Sequence, residues 1–179
     1  MPNTYKITIA GLPRELALCP VDNTIDIAAF ILFGDVELTV AAAKQLLEKA
    51  PAFDVIVTPE AKSIPLAYEM ARTSHKPYVV ARKSTKVYMT NPISVEVRSI
   101  TTDHPQKLYL GEEEAARLKG QRVLVVDDVI STGESLSAVT HLVNRAGGQV
   151  VAACSILAEG DAAKRDDILF LEPLPLFRK

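Results

Sequence analysis

The sequence predicts an α/β fold in which a parallel sheet is covered by helices on both faces. Between residues 54 and 158, strand-like and helix-like segments alternate, as in "DVIVT", "SIPLAYEMARTS" and "PYVVARK", and again in "RVLVVDD", "ESLSAVTHLVNRAGG" and "QVVAACSILA". This alternation is typical of parallel strands joined by helices. The run Val123 to Val126 is apolar at every position, as expected of a central strand buried on both faces.

The N-terminal segment is predicted to form a small flap ahead of this sheet. Residues 5–20 contain two short alternating segments around Gly11-Leu12-Pro13, which favours a hairpin. Residues 37–50 place Leu38, Ala42 and Leu46 on one face, which predicts an amphipathic helix. A chain of 179 residues is expected to form one domain.

We therefore predict a single domain, residues 1–179, with a hood over residues 1–36 and a core with a C-terminal tail over residues 37–179. Within the core, residues 93–100 and 107–110 each alternate with period two, which predicts a second hairpin. The tail "ILFLEPLPLFRK" is interrupted by two prolines and is expected to be extended, not helical.

Composition narrows the classes of function. The formal net charge is −2 and no segment is strongly basic, which argues against nucleic acid or an anionic membrane as a partner. The N-terminus lacks a signal-peptide pattern, and "IDIAAFILFG" is shorter than the roughly 20 residues that span a bilayer. Cys19 and Cys154 show no metal-ligand spacing. We expect a cytoplasmic protein with a small-molecule partner.

The segment "VLVVDDVISTGES" places two acids where a strand ends and a small polar loop follows. In open α/β sheets, ligands bind beyond the carboxyl ends of the strands, so Asp127 and Asp128 are candidates for a site. The N–H groups and dipole at the start of the next helix favour a phosphate. The predicted phosphate loop consists of Ser131, Thr132, Gly133, Glu134 and Ser135.

The segment has three other interpretations, and its residues exclude two of them. Ser131 or Thr132 could simply cap the helix while an aspartate completes a turn. A P-loop is excluded because Gly133 is followed by Glu134 and the loop contains no lysine. A receiver domain is excluded because only 51 residues follow Asp128, where about a hundred are needed.

The segment closely resembles the phosphoribosyl diphosphate motif of the type I phosphoribosyltransferases. The resemblance implies that the loop Ser131 to Ser135 binds the 5′-phosphate and that Asp127 and Asp128 hold the ribose hydroxyls. It also implies the family's fold: a parallel sheet flanked by helices, a flexible β-hairpin loop and a small N-terminal hood. Phe30, Phe33 and the tail are candidates to complete that hood.

Two further segments resemble the pyrophosphate-binding parts of the same family. The first, "VIVTPEAKSIPLAYEMA", leads from a strand into a loop with one cation, and the second, "VVARKSTK", ends a strand with basic residues. Cations and helix N–H groups at these positions suit a multiply charged anion. The implied pyrophosphate-binding residues are Glu60, Ala61, Lys62, Ser63, Arg82, Lys83 and Lys86.

Residues 97–108 take the place of the family's flexible loop. Thr101 stands where adenine-specific relatives typically have a glutamate, and it is the candidate for a catalytic role there. We interpret His104 as an exposed residue of this loop.

The resemblance implies transfer of a phosphoribosyl group from phosphoribosyl diphosphate to a purine, with adenine favoured. The alternatives are xanthine, guanine or hypoxanthine as the acceptor, or a regulator that senses purine or phosphoribosyl diphosphate on the same fold. A homodimer and a Mg²⁺ cofactor are also implied. The sequence has no dedicated metal cluster, so Mg²⁺ is expected to be held mainly by substrate oxygens near Asp127 and Asp128.

Overall fold

The computed structural model describes residues 3–97 and 106–179. Within this range, the strands and helices in chain order are β1 (Thr4–Ile9), β2 (Leu12–Pro20), β3 (Ile25–Ala29), α1 (Val36–Lys49), β4 (Val55–Pro59), α2 (Ile64–Ser74), β5 (Tyr78–Ala81), β6 (Ile93–Val97), β7 (Gln106–Leu110), α3 (Glu112–Leu118), β8 (Arg122–Ile130), α4 (Glu134–Arg145), β9 (Gln149–Glu159), β10 (Leu169–Leu174) and β11 (Phe177–Arg178). A 3₁₀ turn, Gly160–Lys164, follows β9. None of the helices in the described ranges is both long enough and apolar enough to span a membrane.

The central sheet is parallel and has the strand order β10-β9-β8-β4-β5. Alternate residues of β8 point to opposite faces, because side chains alternate along a strand. Leu124 and Val126 pack in a core with residues of α1 and α2. Val123 and Val125 pack in a second core with residues of α4. This layered arrangement confirms the predicted fold class.

A second sheet is antiparallel, with the order β1-β2-β3-β11. The predicted N-terminal hairpin is present, but its turn is formed by Ala10 and Gly11, and Leu12 and Pro13 already belong to β2. Both turn residues have positive φ, 51° and 81°, as tight turns between antiparallel strands require. The role of this sheet as a hood stays a prediction.

The sequence did not predict strand β3, helix α3, the 3₁₀ turn or the pairing of the tail. The short helix α3 follows the β6–β7 hairpin, and three consecutive glutamates in its first turn favour that end of a helix. The tail is extended as predicted, but it also pairs twice: β10 lies parallel to β9, and β11 lies antiparallel to β3. The tail therefore connects the two sheets.

The ring of Phe177 fastens this tail to the N-terminal sheet. It makes an edge-to-face contact with Tyr5, with ring centroids 5.0 Å apart. We expect Phe177→Ala to lower the free energy of unfolding by about 1–2 kcal/mol, less than for a fully buried ring, because Phe177 is only partly buried. Urea unfolding measures this change. The exposed Tyr88 is the control: an equal loss in Tyr88→Ala would contradict a specific role for Phe177.

Candidate active site

A cavity of about 440 Å³ lies where the carboxyl ends of β4 and β8 meet. It brings together the acid pair, Lys62 and Lys83 of the predicted pyrophosphate-binding segments, and Ser135 of the predicted phosphate loop. These residues are far apart in the chain. Its lining consists of Pro59, Glu60, Ala61, Lys62, Ser63, Lys83, Leu108, Asp127, Asp128, Val129 and Ser135.

The acid pair lies inside β8 and not at its end. The strand runs two residues beyond Asp128 because β9 continues to pair with it as far as Ile130. On the other side, the pairing of β4 with β8 stops at Val125, which leaves that flank of β8 open toward the cavity. The sequence therefore located the acids at the correct edge of the sheet but ended the strand too early.

The two acids are close, and their negative charges interact. The backbone N–H of Asp128 donates to Asp127 Oδ1 at 2.9 Å. Burial and, to a lesser degree, the neighbouring Asp128 raise the pKa of Asp127 well above its usual value. Asp128 is only 4% exposed, and its Oδ2 has no hydrogen-bond partner among the described residues, although Lys62 Nζ lies 3.3 Å away. A buried acceptor of this kind suits a donor supplied by a ligand.

Lys62, the cation nearest to Asp128, belongs to the loop that follows β4. The peptide bond between Glu60 and Ala61 is cis. Ser63 is 1% exposed, and its hydroxyl donates inward to the carbonyl oxygen of Pro59 at 3.0 Å. Thr58 Oγ1 lies 2.7 Å from Ser63 Oγ and 2.8 Å from the carbonyl oxygen of Val126. The Ser63 side chain therefore holds the loop against β4 and, through Thr58, against β8. Lys62 is half exposed and faces the cavity.

Glu60 orients the basic residues at the end of β5. Its Oε2 accepts a hydrogen bond from the Lys83 backbone N–H at 2.9 Å and lies 3.5 Å from Arg82 Nε. Lys83 lines the cavity, whereas Arg82 and Lys86 do not. Lys86 Nζ instead donates to Ser84 Oγ at 3.0 Å. The structure thus brings Lys83, of the three predicted basic residues, into the cavity.

The predicted phosphate loop leads into α4, whose first-turn N–H groups have no partners within the helix. Gly133 is the residue before α4 and has φ +84°, which favours glycine. The N–H of Glu134 donates to Thr132 Oγ1 at 3.4 Å. Ser135 lines the cavity, while Ser131 and Thr132 are exposed beside it.

Two predicted loop residues, Thr101 and His104, lie outside the described residues. The hairpin that carries this loop is confirmed as the pair β6 and β7. Leu108 of β7 reaches the cavity, and the sequence analysis missed it because its apolar side chain gave no functional signal. Of the hood candidates, Phe30 is buried in the core beside α1 and α2, whereas Phe33 is 53% exposed.

The cavity offers few protein ligands for a metal ion. No group of three or more candidate ligands occurs among the residues that the structure describes. Three lining residues carry carboxylates, and that of Glu60 is engaged by Lys83 and Arg82. The remaining two, Asp127 and Asp128, fit a Mg²⁺ ion whose other ligands are substrate and water oxygens.

Sequence comparison relates the chain to known proteins. A family model described as "Phosphoribosyl transferase domain" matches residues 37–173. The chain is 38% identical over 112 residues to the hypoxanthine/guanine phosphoribosyltransferase of Methanococcus voltae, over 63% of this chain and 56% of that protein. It is 35% identical over 127 residues to the adenine phosphoribosyltransferase of Petrotoga mobilis, over 70% of each. The chain thus spans little more than half of the first relative.

Structural comparison finds similar folds. The crystal structure of adenine phosphoribosyltransferase from Thermoanaerobacter pseudethanolicus superposes with a TM-score of 0.74 at 22% identity, covering 88% of this chain and 95% of that one. The adenine phosphoribosyltransferase of Giardia lamblia, complexed with 9-deazaadenine, gives 0.69 at 18% identity, covering 88% and 93%. At these identities the likeness establishes the fold.

Proposed function

The chain belongs to the phosphoribosyltransferase family, and from this premise we propose that it transfers a 5-phosphoribosyl group from phosphoribosyl diphosphate to a purine, with adenine as the leading acceptor. The products would be a nucleoside monophosphate and pyrophosphate, as in purine salvage. The observation that carries the proposal is the cavity in which Asp127, Asp128, Lys62, Lys83 and the start of α4 meet.

In this proposal each group at the cavity has a distinct role. The start of α4 and the loop Ser131 to Ser135 hold the 5′-phosphate through backbone N–H groups and hydroxyls. Asp127 and Asp128 accept hydrogen bonds from the ribose 2′ and 3′ hydroxyls, which gives Asp128 Oδ2 a hydrogen-bond donor that it lacks among the described residues. Lys62 and Lys83 face the leaving pyrophosphate and offset its negative charge.

The reaction breaks the bond from ribose C1 to the pyrophosphate oxygen, forms a bond from C1 to a purine nitrogen, and releases the proton of that nitrogen. The transition state resembles an oxocarbenium ion, so no enzyme nucleophile is required. The protein contributes by positioning the two reactants and by stabilising charge on the leaving group. Thr101, outside the described residues, stays the candidate near the purine.

Mg²⁺ is part of the proposal as the cofactor. Asp127 and Asp128 are the residues that would lie nearest to it, and the ion would supply positive charge to the pyrophosphate oxygens. We also propose a cytoplasmic homodimer, by analogy with the family.

A turnover panel tests the function. Purified protein is mixed with phosphoribosyl diphosphate, Mg²⁺ and adenine, hypoxanthine, guanine or xanthine, and pyrophosphate release is measured. We expect turnover with a purine, fastest with adenine, and loss of turnover after chelation of Mg²⁺ with recovery when the ion is restored. Binding without turnover of every base would contradict the proposal and favour a ligand-sensing regulator.

A further inference from the structure

Arg165 lies in the connection between the 3₁₀ turn and β10 and is held in a fixed orientation. Its Nε donates to Asp167 Oδ1 at 2.8 Å, and its Nη2 donates to Asp167 Oδ2 at 2.7 Å. Its backbone N–H donates to the carbonyl oxygen of Ala162 at 3.1 Å. This two-point pairing fixes the plane of the guanidinium group and directs the remaining nitrogen, Nη1, away from Asp167.

Nη1 lies against the glycine of the predicted phosphate loop. A Cβ atom built on Gly133 would lie 2.5 Å from Arg165 Nη1, closer than such atoms approach one another in proteins. The guanidinium therefore occupies the space that a side chain at residue 133 would need. Gly133 also has φ +84° and precedes α4, so Arg165 lies directly beside the turn that leads into this helix.

The contact between Arg165 and Gly133 brings positive charge to an acidic part of the chain. Residues 127–135 contain three acids, Asp127, Asp128 and Glu134, and no cation. Lys62 offsets the charge of Asp128, but residues 131–135 supply no positive charge of their own to a phosphate dianion. Arg165 presents its positive edge to the loop, while Asp167 pairs with the opposite edge. The nearer positive edge outweighs the farther carboxylate at the loop, because the interaction falls with distance.

We propose that Arg165, oriented by Asp167, is a positioning residue that fixes Gly133 and favours the phosphate end of the substrate. The inference rests on the proposed function, because it assumes that the loop binds the 5-phosphate. It predicts a selective effect: affinity for a ligand carrying that phosphate depends on Arg165, whereas affinity for pyrophosphate, bound near Lys62 and Lys83, does not.

Isothermal titration calorimetry of the full chain, with ribose 5-phosphate and separately with pyrophosphate, tests this selectivity. For Arg165→Gln, we expect the Kd for ribose 5-phosphate to rise about tenfold, because the variant removes a positive charge beside the loop and its pairing with Asp167, with pyrophosphate unaffected. Arg165→Lys keeps the charge but loses the planar pairing with Asp167, so we expect a rise of about threefold. The lysine variant also provides the test if the glutamine variant does not fold.

Arg122→Gln is a matched control. Arg122 forms the same two-point pair, with Asp54 at 3.0 and 2.8 Å, but at the opposite end of β8. It should bind both ligands as the unmodified protein does. Unchanged affinity for ribose 5-phosphate in both Arg165 variants, or an equal loss for both ligands, would overturn the inference.

Absence of ribose 5-phosphate binding to the unmodified protein would also overturn it. The turnover panel measures pyrophosphate release, whereas the calorimetry measures ligand affinity, so the two results are independent. Selective loss in the Arg165 variants without turnover of any purine by the unmodified protein would reject the proposed function and leave the role of Arg165 intact.

Discussion

Replacing both acids of β8, Asp127→Ala with Asp128→Ala, is expected to lower kcat/KM by about 1,000-fold, because each lost hydrogen bond from a ribose hydroxyl to a carboxylate is worth about 1.5–3 kcal/mol. The two residues line one cavity, where, among the described residues, Asp128 Oδ2 has an ion pair with Lys62 but no hydrogen bond. Steady-state assay of pyrophosphate release measures the loss.

The same variant should remain folded and become more stable at neutral pH. Burial raises the pKa of Asp127, so the folded protein binds a proton more tightly than the unfolded chain. Above the ordinary pKa of an aspartate, near 3.8, this costs stability as pH rises, and below that value the cost disappears. We therefore expect a higher thermal midpoint than in the unmodified protein at pH 7, and a smaller difference in acid.

A matched control removes an acid elsewhere. Asp161→Ala deletes an exposed carboxylate whose only described ion pair, with Lys164, is also exposed, so activity and stability should change little. Full activity in the double variant would reject the assignment of the two acids to ribose. A collapse of both the fold and the activity would instead indicate a structural role.

Lys62→Met is expected to lower kcat/KM by about 100-fold, which is the usual loss when one group that stabilises developing negative charge is removed. Its side chain is half exposed, faces the cavity and has its ammonium 3.3 Å from Asp128 Oδ2. Methionine keeps the apolar stem and removes the charge. Kinetics with varied phosphoribosyl diphosphate measure the change.

Lys86→Met is the control for this variant, because Lys86 lies outside the cavity and bonds to Ser84. It should retain activity within about threefold, a change of less than 1 kcal/mol. Equal losses in both variants would indicate a general effect of positive charge on the surface. In that case the specific placement of Lys62 would be wrong.

The central fold could be predicted because its signals are local. The apolar run of β8 and the amphipathic pattern of α1 each depend on neighbouring residues, and both elements are present within two residues of the predicted bounds. The pairings of the tail could not be predicted, because β10 and β11 contact strands that are distant in sequence. Helix α3 was missed because seven residues give too short a pattern for periodicity.

The same distinction applies to the candidate site: the positions of its residues along the sheet could be predicted, but the directions of their side chains could not. Motif spacing placed Asp127, Lys62 and Lys83 at one edge of the sheet, and the cavity contains all three. The direction of individual side chains was not predictable, since the Ser63 hydroxyl turns inward and the Glu60 carboxylate faces Arg82 and Lys83.

Arg165 was missed for a related reason. It belongs to a charged segment, "KRDD", that is typical of a solvated turn, and its contact with Gly133 spans 32 residues of chain. Only the folded arrangement places the two residues together.

The connection made by the tail also affects how the chain matures during translation. Residues 169–178 supply a strand to each sheet, so neither sheet is complete until these residues have left the ribosome. Until then, β3 and the second half of β9 each present an unpaired edge, and such edges promote association between nascent chains. Chaperone protection of these two edges would therefore matter until residues 169–178 have emerged.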